Sequence, residues 1–148
     1  MNHDLKRRWI ITNATNLTRY IVSKCTKENE PINNLQLQTI LYCIQIEFVR
    51  RGKVAFYDNM EAWKFGPVLP NVYYTYCGFG ANPITMNYPN EKFPSPEDRK
   101  IIDPIVEDKR KLLPWELETL THDTNGAWAQ TYRSGEGEYS IIPRELMM

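Results

Sequence analysis

The sequence predicts a mainly helical α+β domain, compact around one buried central helix and carrying a small antiparallel β ribbon. Three stretches predict it. Apolar residues recur at helical spacing from Thr12 to about Lys27, the segment NLQLQTILYCIQIEFVRRG is apolar nearly all round, and EAWKF alternates at period two. At 148 residues the chain is a single domain's worth, 1–148, without internal repeat or linker. That length buries about two-thirds of the surface the unfolded chain exposes.

Each element has a local reason. In the first helix Ala14, Leu17, Tyr20, Ile21 and Cys25 form the apolar stripe, and Arg19, Lys24 and Lys27 fall away from it. ENEP breaks the pattern, because Pro31 lacks an amide donor and biases Glu30 away from helical geometry. Asn33 or Asn34 then caps the central helix. Leu37, Ile40, Leu41, Ile44 and Phe48 lie on one face of it, and Leu35, Tyr42, Cys43, Ile46 and Val49 cover much of the rest. Gln38 and Gln45, seven apart, share a face and need hydrogen-bond partners wherever they are buried. Gly52 stops the helix behind Arg50 and Arg51, whose charges suit its negative end.

VAFYD and EAWKF read as the two strands of the ribbon, with Gly66-Pro67 ending the second. Pro70 opens a helix in which Leu69, Val72, Tyr73 and Tyr76 make one stripe and Tyr74 points elsewhere; Gly78 and Gly80 end it. ANPITMNYPNEKFP, residues 81–94, is expected to be an irregular surface loop. Ser95-Pro96-Glu97-Asp98 starts a helix with Ile101, Ile102, Ile105 and Val106 on its apolar face. Pro114 opens a short one, with Trp115, Leu117 and Leu120 apolar and Glu116 and Glu118 outward. SIIPRELMM predicts a brief extended piece and a last helical turn. Trp63, Trp115 and Trp128 are each assigned to the core.

Composition narrows function. Cys25, Cys43 and Cys77 are odd in number and lack C-x-x-C spacing, which fits neither a disulfide framework nor a zinc ribbon and suits a reducing cytoplasm. The run Trp9, Ile10, Ile11 is too short for a signal-peptide core, and no stretch reaches membrane-spanning length. The expectation is therefore a soluble, cytoplasmic protein. Eighteen basic and eighteen acidic residues cancel, but residues 1–53 carry nine Lys/Arg against four Asp/Glu and are net +5, the remainder −5. Without an overall basic excess, nucleic-acid binding loses its main sequence-independent driving force, though a basic patch remains at Lys6, Arg7 and Arg8.

No phosphate-cradling loop, nucleophile elbow or H-E-x-x-H is present. His122 beside Asp123 suggests a base and its orienting acid, with Cys43 or Cys77 as nucleophile, yet neighbouring helical residues project about 100° apart. A structural or partner-contact role suits His122 better than catalysis. No metal or cofactor is expected. Lys64 and Tyr74 are the two residues that the architecture of EAWKFGPVLPNVYYTY leaves over for a partner.

NLQLQTILYCIQIEFVRRGKVAF, EAWKFGPVLPNVY and WELETLTHDTNGAW, in this order, resemble the SocA-like Panacea antitoxin domain family, which includes proteins labelled phage-associated GepA. The likeness runs from about Asn13 to Trp128. Its hallmark is carried by Ala62, Trp63, Gly66, Pro67, Val68, Pro70, Val72 and Tyr73. Leu37, Gln38, Leu41, Tyr42 and Gln45 match a second signature, and Leu120, Thr121, His122 and Trp128 a third. Thr39 stands where members usually have lysine, and Ala127 where they usually have proline. With about eleven residues before its first helix, the chain resembles the bare domain. The resemblance implies a bacterial or prophage antitoxin, not an enzyme, that neutralises a toxin encoded by a neighbouring gene through direct contact. Lys64, Tyr74, His122, Asp123 and Trp128 are the candidate partner contacts, the other signature residues being mainly architectural. Two other readings are a phage-encoded DNA-binding regulator using the basic N-terminal third and a small hydrolase or transferase centred on His122.

Overall fold

The structure, a computed structural model, describes residues 14–89 and 94–148. The basic cluster at Lys6, Arg7 and Arg8, the start of the first helix at Thr12 and residues 90–93 of the loop lie outside the described residues. Among those described there are six α-helices and one two-stranded antiparallel sheet.

Helix α1 (Ala14–Lys27) buries Leu17, Ile21, Val22 and Cys25, as its periodicity predicts, and turns off at Asn29 in a left-handed conformation. Helix α2 (Asn34–Arg50) is the central element and packs on α1, the ribbon, three later helices and the C-terminal turn. Asn33 is its cap: the Asn33 side chain accepts the Gln36 N–H, and the Gln36 side chain accepts the Asn33 N–H in return.

The ribbon is shifted along the chain from its sequence prediction. Its strands are β1 (Glu61–Trp63) and β2 (Gly66–Val68), with Ala62 opposite Pro67 and Lys64-Phe65 as the turn. Gly66-Pro67 thus begins the second strand where it was expected to end one. VAFYD, expected as a strand, is irregular for a specific reason. Gln45 on α2 accepts the Ala55 N–H and donates to the Phe56 carbonyl, so a glutamine amide takes the place of a neighbouring strand. A later segment lies along the other side of β1. Tyr139 N–H donates to Ala62 O, Ala62 N–H to Ser140 O and Ile142 N–H to Met60 O, each at 2.8 Å.

Helix α3 (Pro70–Tyr76) runs into a 3-10 turn (Cys77–Phe79) that ends at Gly80, φ 60°. The segment after it is less of a surface loop than expected. Ile84 is fully buried and bonded to Ile32 O, and the Tyr88 N–H reaches Ser23 Oγ at 2.7 Å, which ties the loop down on α1. Helix α4 (Pro96–Lys109) starts at the predicted Ser95 cap and buries Ile102 and Val106. In α5 (Pro114–Thr121), Leu117 and Thr121 are buried, but Trp115 is 65% exposed, contrary to its core assignment. Two residues along a helix is about 200° of rotation, so Trp115 cannot share Leu117's face. Helix α6 (Ala127–Tyr132) and 3-10 turns at Arg133–Gly135 and Arg144–Met147 complete the chain.

Candidate functional site

The signature residues form a hydrogen-bonded frame around the ribbon. On α2, Gln38 is buried; its amide oxygen accepts the Leu69 N–H at 2.9 Å, just ahead of α3, and its nitrogen donates to Asn34. One turn on, the Tyr42 hydroxyl accepts the Trp128 N–H at 3.0 Å. Desolvation pushes that phenol above its ordinary pKa, so it stays a neutral hydroxyl. Gln45, a further turn along, holds Ala55 and Phe56. Leu37, Leu41, Ala62, Val68 and Val72 fill the space between as buried apolar residues, and Pro67 is buried beside them.

The third signature closes on the ribbon turn. Trp128 donates its indole N–H to the Trp63 carbonyl at 2.8 Å, and its ring stacks on His122 (3.9 Å, 17°) and on Tyr132 (4.7 Å, 14°). His122 Nε2 lies 3.3 Å from the Phe65 carbonyl oxygen. A carbonyl only accepts, so that bond requires the proton on Nε2 and leaves Nδ1 facing Glu118 at 4.0 Å. Thr121 lies beside Gly66, where a Cβ would make ordinary contact at 3.5 Å from Thr121 Oγ1. Gly66 itself has φ 140°, a conformation that side chains resist.

Of the five candidate contacts, Lys64 and Tyr74 are exposed, Asp123 is exposed, His122 is half-buried and Trp128 is buried at 6% exposure. Trp128 is therefore a packing residue of the frame in the free protein. The Asp123 carboxylate accepts the Asn125 N–H, while His122 faces Phe65 and Glu118, so the two do not form a catalytic pair. Burial pushes the Cys43 thiol up to about 11, which keeps it protonated at neutral pH. Among the described residues no group of three His, Cys, Asp or Glu is placed to hold a metal ion, and no helix is long and apolar enough to cross a membrane.

Trp63 is not the core anchor its sequence context suggests. Ala62 takes the inward position of β1, and Trp63 is half-buried on the outer face with its indole N–H on Glu61 at 2.9 Å. There it meets Tyr73 (5.2 Å between ring centroids), Tyr139 (5.8 Å) and Tyr74 (6.0 Å). Tyr74 and Tyr139 are each 62% exposed, and Phe65 at the ribbon tip is 76% exposed. The result is an aromatic platform beside Lys64. Sequence reasoning found Lys64 and Tyr74 but missed Phe65 and Tyr139. Phe65 was placed inside a strand, and Tyr139 arrives by long-range pairing that no local pattern encodes.

The family described as "Antitoxin SocA-like, Panacea domain" matches residues 37–129, which span the central helix, the ribbon and the His122–Trp128 stack. The antitoxin SocA of Caulobacter vibrioides (strain NA1000 / CB15N) is 28% identical over 127 residues, covering 78% of this chain and 68% of that protein. No solved structure matches the chain. The match takes in every signature residue of the frame, and the chain belongs to the antitoxin SocA-like, Panacea domain family.

Proposed function

We propose that this chain works as an antitoxin by binding: it neutralises a cognate toxin, encoded by a neighbouring gene, through direct contact with the platform at the ribbon tip. The observation that carries the reading is the exposure of two large aromatic side chains, Tyr74 and Tyr139, against a half-buried Trp63, with a third, Phe65, exposed at the tip of the same ribbon. Aromatic side chains on a fixed scaffold are the usual anchors of protein interfaces, since they bring large contact area with few rotatable bonds. Lys64 supplies a charge at the rim, where it steers the encounter. Binding rather than turnover also suits the separation of His122 from Asp123 and the protonated Cys43 thiol.

The test is co-purification with the product of the adjacent toxic open reading frame, together with rescue of growth on co-expression. The Lys64→Glu/Tyr74→Ala double variant is expected to fold, by circular dichroism, and to lose binding by roughly 2–4 kcal/mol. Full rescue by the folded double variant would move the toxin surface away from the ribbon tip.

A further inference from the structure

The platform has a component that lies outside the family match. Tyr139 sits ten residues beyond the last matched position, 129, and holds a left-handed backbone conformation, φ 67°. Bulky L-residues resist that region, which glycine enters freely. Arg133, Ser134 and Gly135, at φ 48°, 55° and 104°, make the approach to it similarly contorted.

Such strain persists only where the surroundings over-determine it, and it concentrates at functional positions. Here backbone bonds to the ribbon do the holding: Tyr139 N–H to Ala62 O and Ala62 N–H to Ser140 O. They fix the Tyr139 ring against Trp63 at an interplanar angle of 78° and still leave it 62% exposed. Core packing gives no reason for an exposed tyrosine in a glycine conformation. A T-shaped pair also leaves one of its two rings with both faces uncovered by the other.

Three carboxylates flank these rings along the chain. Glu136 and Glu138 are exposed and precede Tyr139 by three residues and one, and Glu61 lies beside Trp63. None of the three is ion-paired among the described residues, and Lys64 and the exposed Arg133 are the cations that neighbour them in the chain. Aromatic faces rimmed by carboxylates favour a guanidinium or ammonium group, which gains both ring and charge contacts.

We propose that the Glu136–Tyr139 segment is the specificity element of the partner surface, completing with Trp63 an acid-rimmed aromatic seat for an arginine- or lysine-bearing segment of the toxin. This rests on the binding function proposed above. Substituting this segment changes which toxin is accepted while the frame beneath stays intact.

The experiment measures affinity for the purified neighbouring-gene toxin by calorimetry at low and high salt, with thermal unfolding as the control. Tyr139→Gly relieves the backbone conformation, so the melting temperature is expected to hold or rise while affinity drops at least tenfold. Glu136→Gln/Glu138→Gln is expected to bind at least tenfold more weakly at low salt and to lose the salt dependence of the wild-type protein. Wild-type affinity in both variants, with binding lost in Tyr74→Ala, would overturn the specificity assignment and leave the binding function standing. Wild-type affinity in all three would overturn both.

Discussion

Trp128 donates its indole N–H to the backbone carbonyl of Trp63 at 2.8 Å, tying α6 to the first strand across 65 residues of sequence. That bond, the Tyr42 hydroxyl on the Trp128 amide and the stacked His122 ring make one residue the junction of all three signature segments. Trp128→Phe keeps an aromatic ring in the stack but removes the indole donor. The Trp63 carbonyl then lacks its partner, and stability is expected to fall by roughly 1–3 kcal/mol with secondary structure retained. Urea unfolding followed by circular dichroism measures it. An unchanged midpoint would show that the strand pairing alone fixes β1.

Gln45 carries a similar burden one turn beyond Tyr42 on α2. Its amide is the sole described partner of the Ala55 N–H, and it also binds the Phe56 carbonyl in a fully buried setting. Gln45→Leu preserves volume and helical propensity while orphaning both backbone groups. Each unsatisfied buried group costs roughly 1–3 kcal/mol, so the melting temperature should drop by several degrees. A variant that melts at or above the wild-type temperature would show that water or a shifted backbone replaces the amide.

The helices and their caps were legible because each rests on local chemistry: the Asn33 and Ser95 caps, Pro70 and Pro114 at helix starts, and the nearly all-apolar α2. The buried, bonded state of Gln38 and Gln45 followed from that same apolar surround. The ribbon was misplaced because an apolar run such as VAFYD normally needs a strand neighbour, and here a side chain serves instead. The preference of tryptophan for burial points Trp63 to the core, but the alternation of a short strand gives the inward place to Ala62. Tyr139 was illegible in principle: its position depends on backbone pairing with residues 77 positions earlier, at Ala62.

A charge cluster between α1 and α4 makes stability depend on pH. Glu28 bonds Lys24 Nζ at 2.8 Å and Arg110 at 2.7 Å, and Lys24 also reaches Glu107 at 2.9 Å. The Lys24 hydrogen bond outweighs the opposing effect of burial and, with the Arg110 hydrogen bond adding to it, holds the Glu28 carboxyl below its usual range. A carboxyl depressed on folding contributes stability that is fully present above its unfolded pKa, about 4.3, and is lost as pH falls through the folded value. Unfolding free energy from urea titrations should therefore decline as pH drops below about 5, and Glu28→Gln should flatten that decline. Equal slopes in the two proteins would assign the acid sensitivity to other carboxylates.

Gly137 decides whether the C-terminal segment can lie beside the ribbon at all. It is buried, its N–H donates to Tyr132 O at 2.9 Å, and a Cβ at this position would collide with the Thr131 carbonyl oxygen. That oxygen belongs to α6 backbone, which cannot swing aside as a side chain can. In Gly137→Ala the chain must therefore move, and the residues that follow it, through Ile142, lose register with Met60 and Ala62. Overpacking of this kind costs roughly 1–3 kcal/mol. The damage should be local first: amide exchange at Tyr139 and Ile142 is expected to accelerate well before exchange on α2 does. Tryptophan emission should also shift, because Trp63 loses the Tyr139 ring at 5.8 Å. Wild-type protection at Ile142 in the variant would mean that the loop accommodates a methyl group without releasing Ile141, which bridges to Glu61 on the outer side of β1.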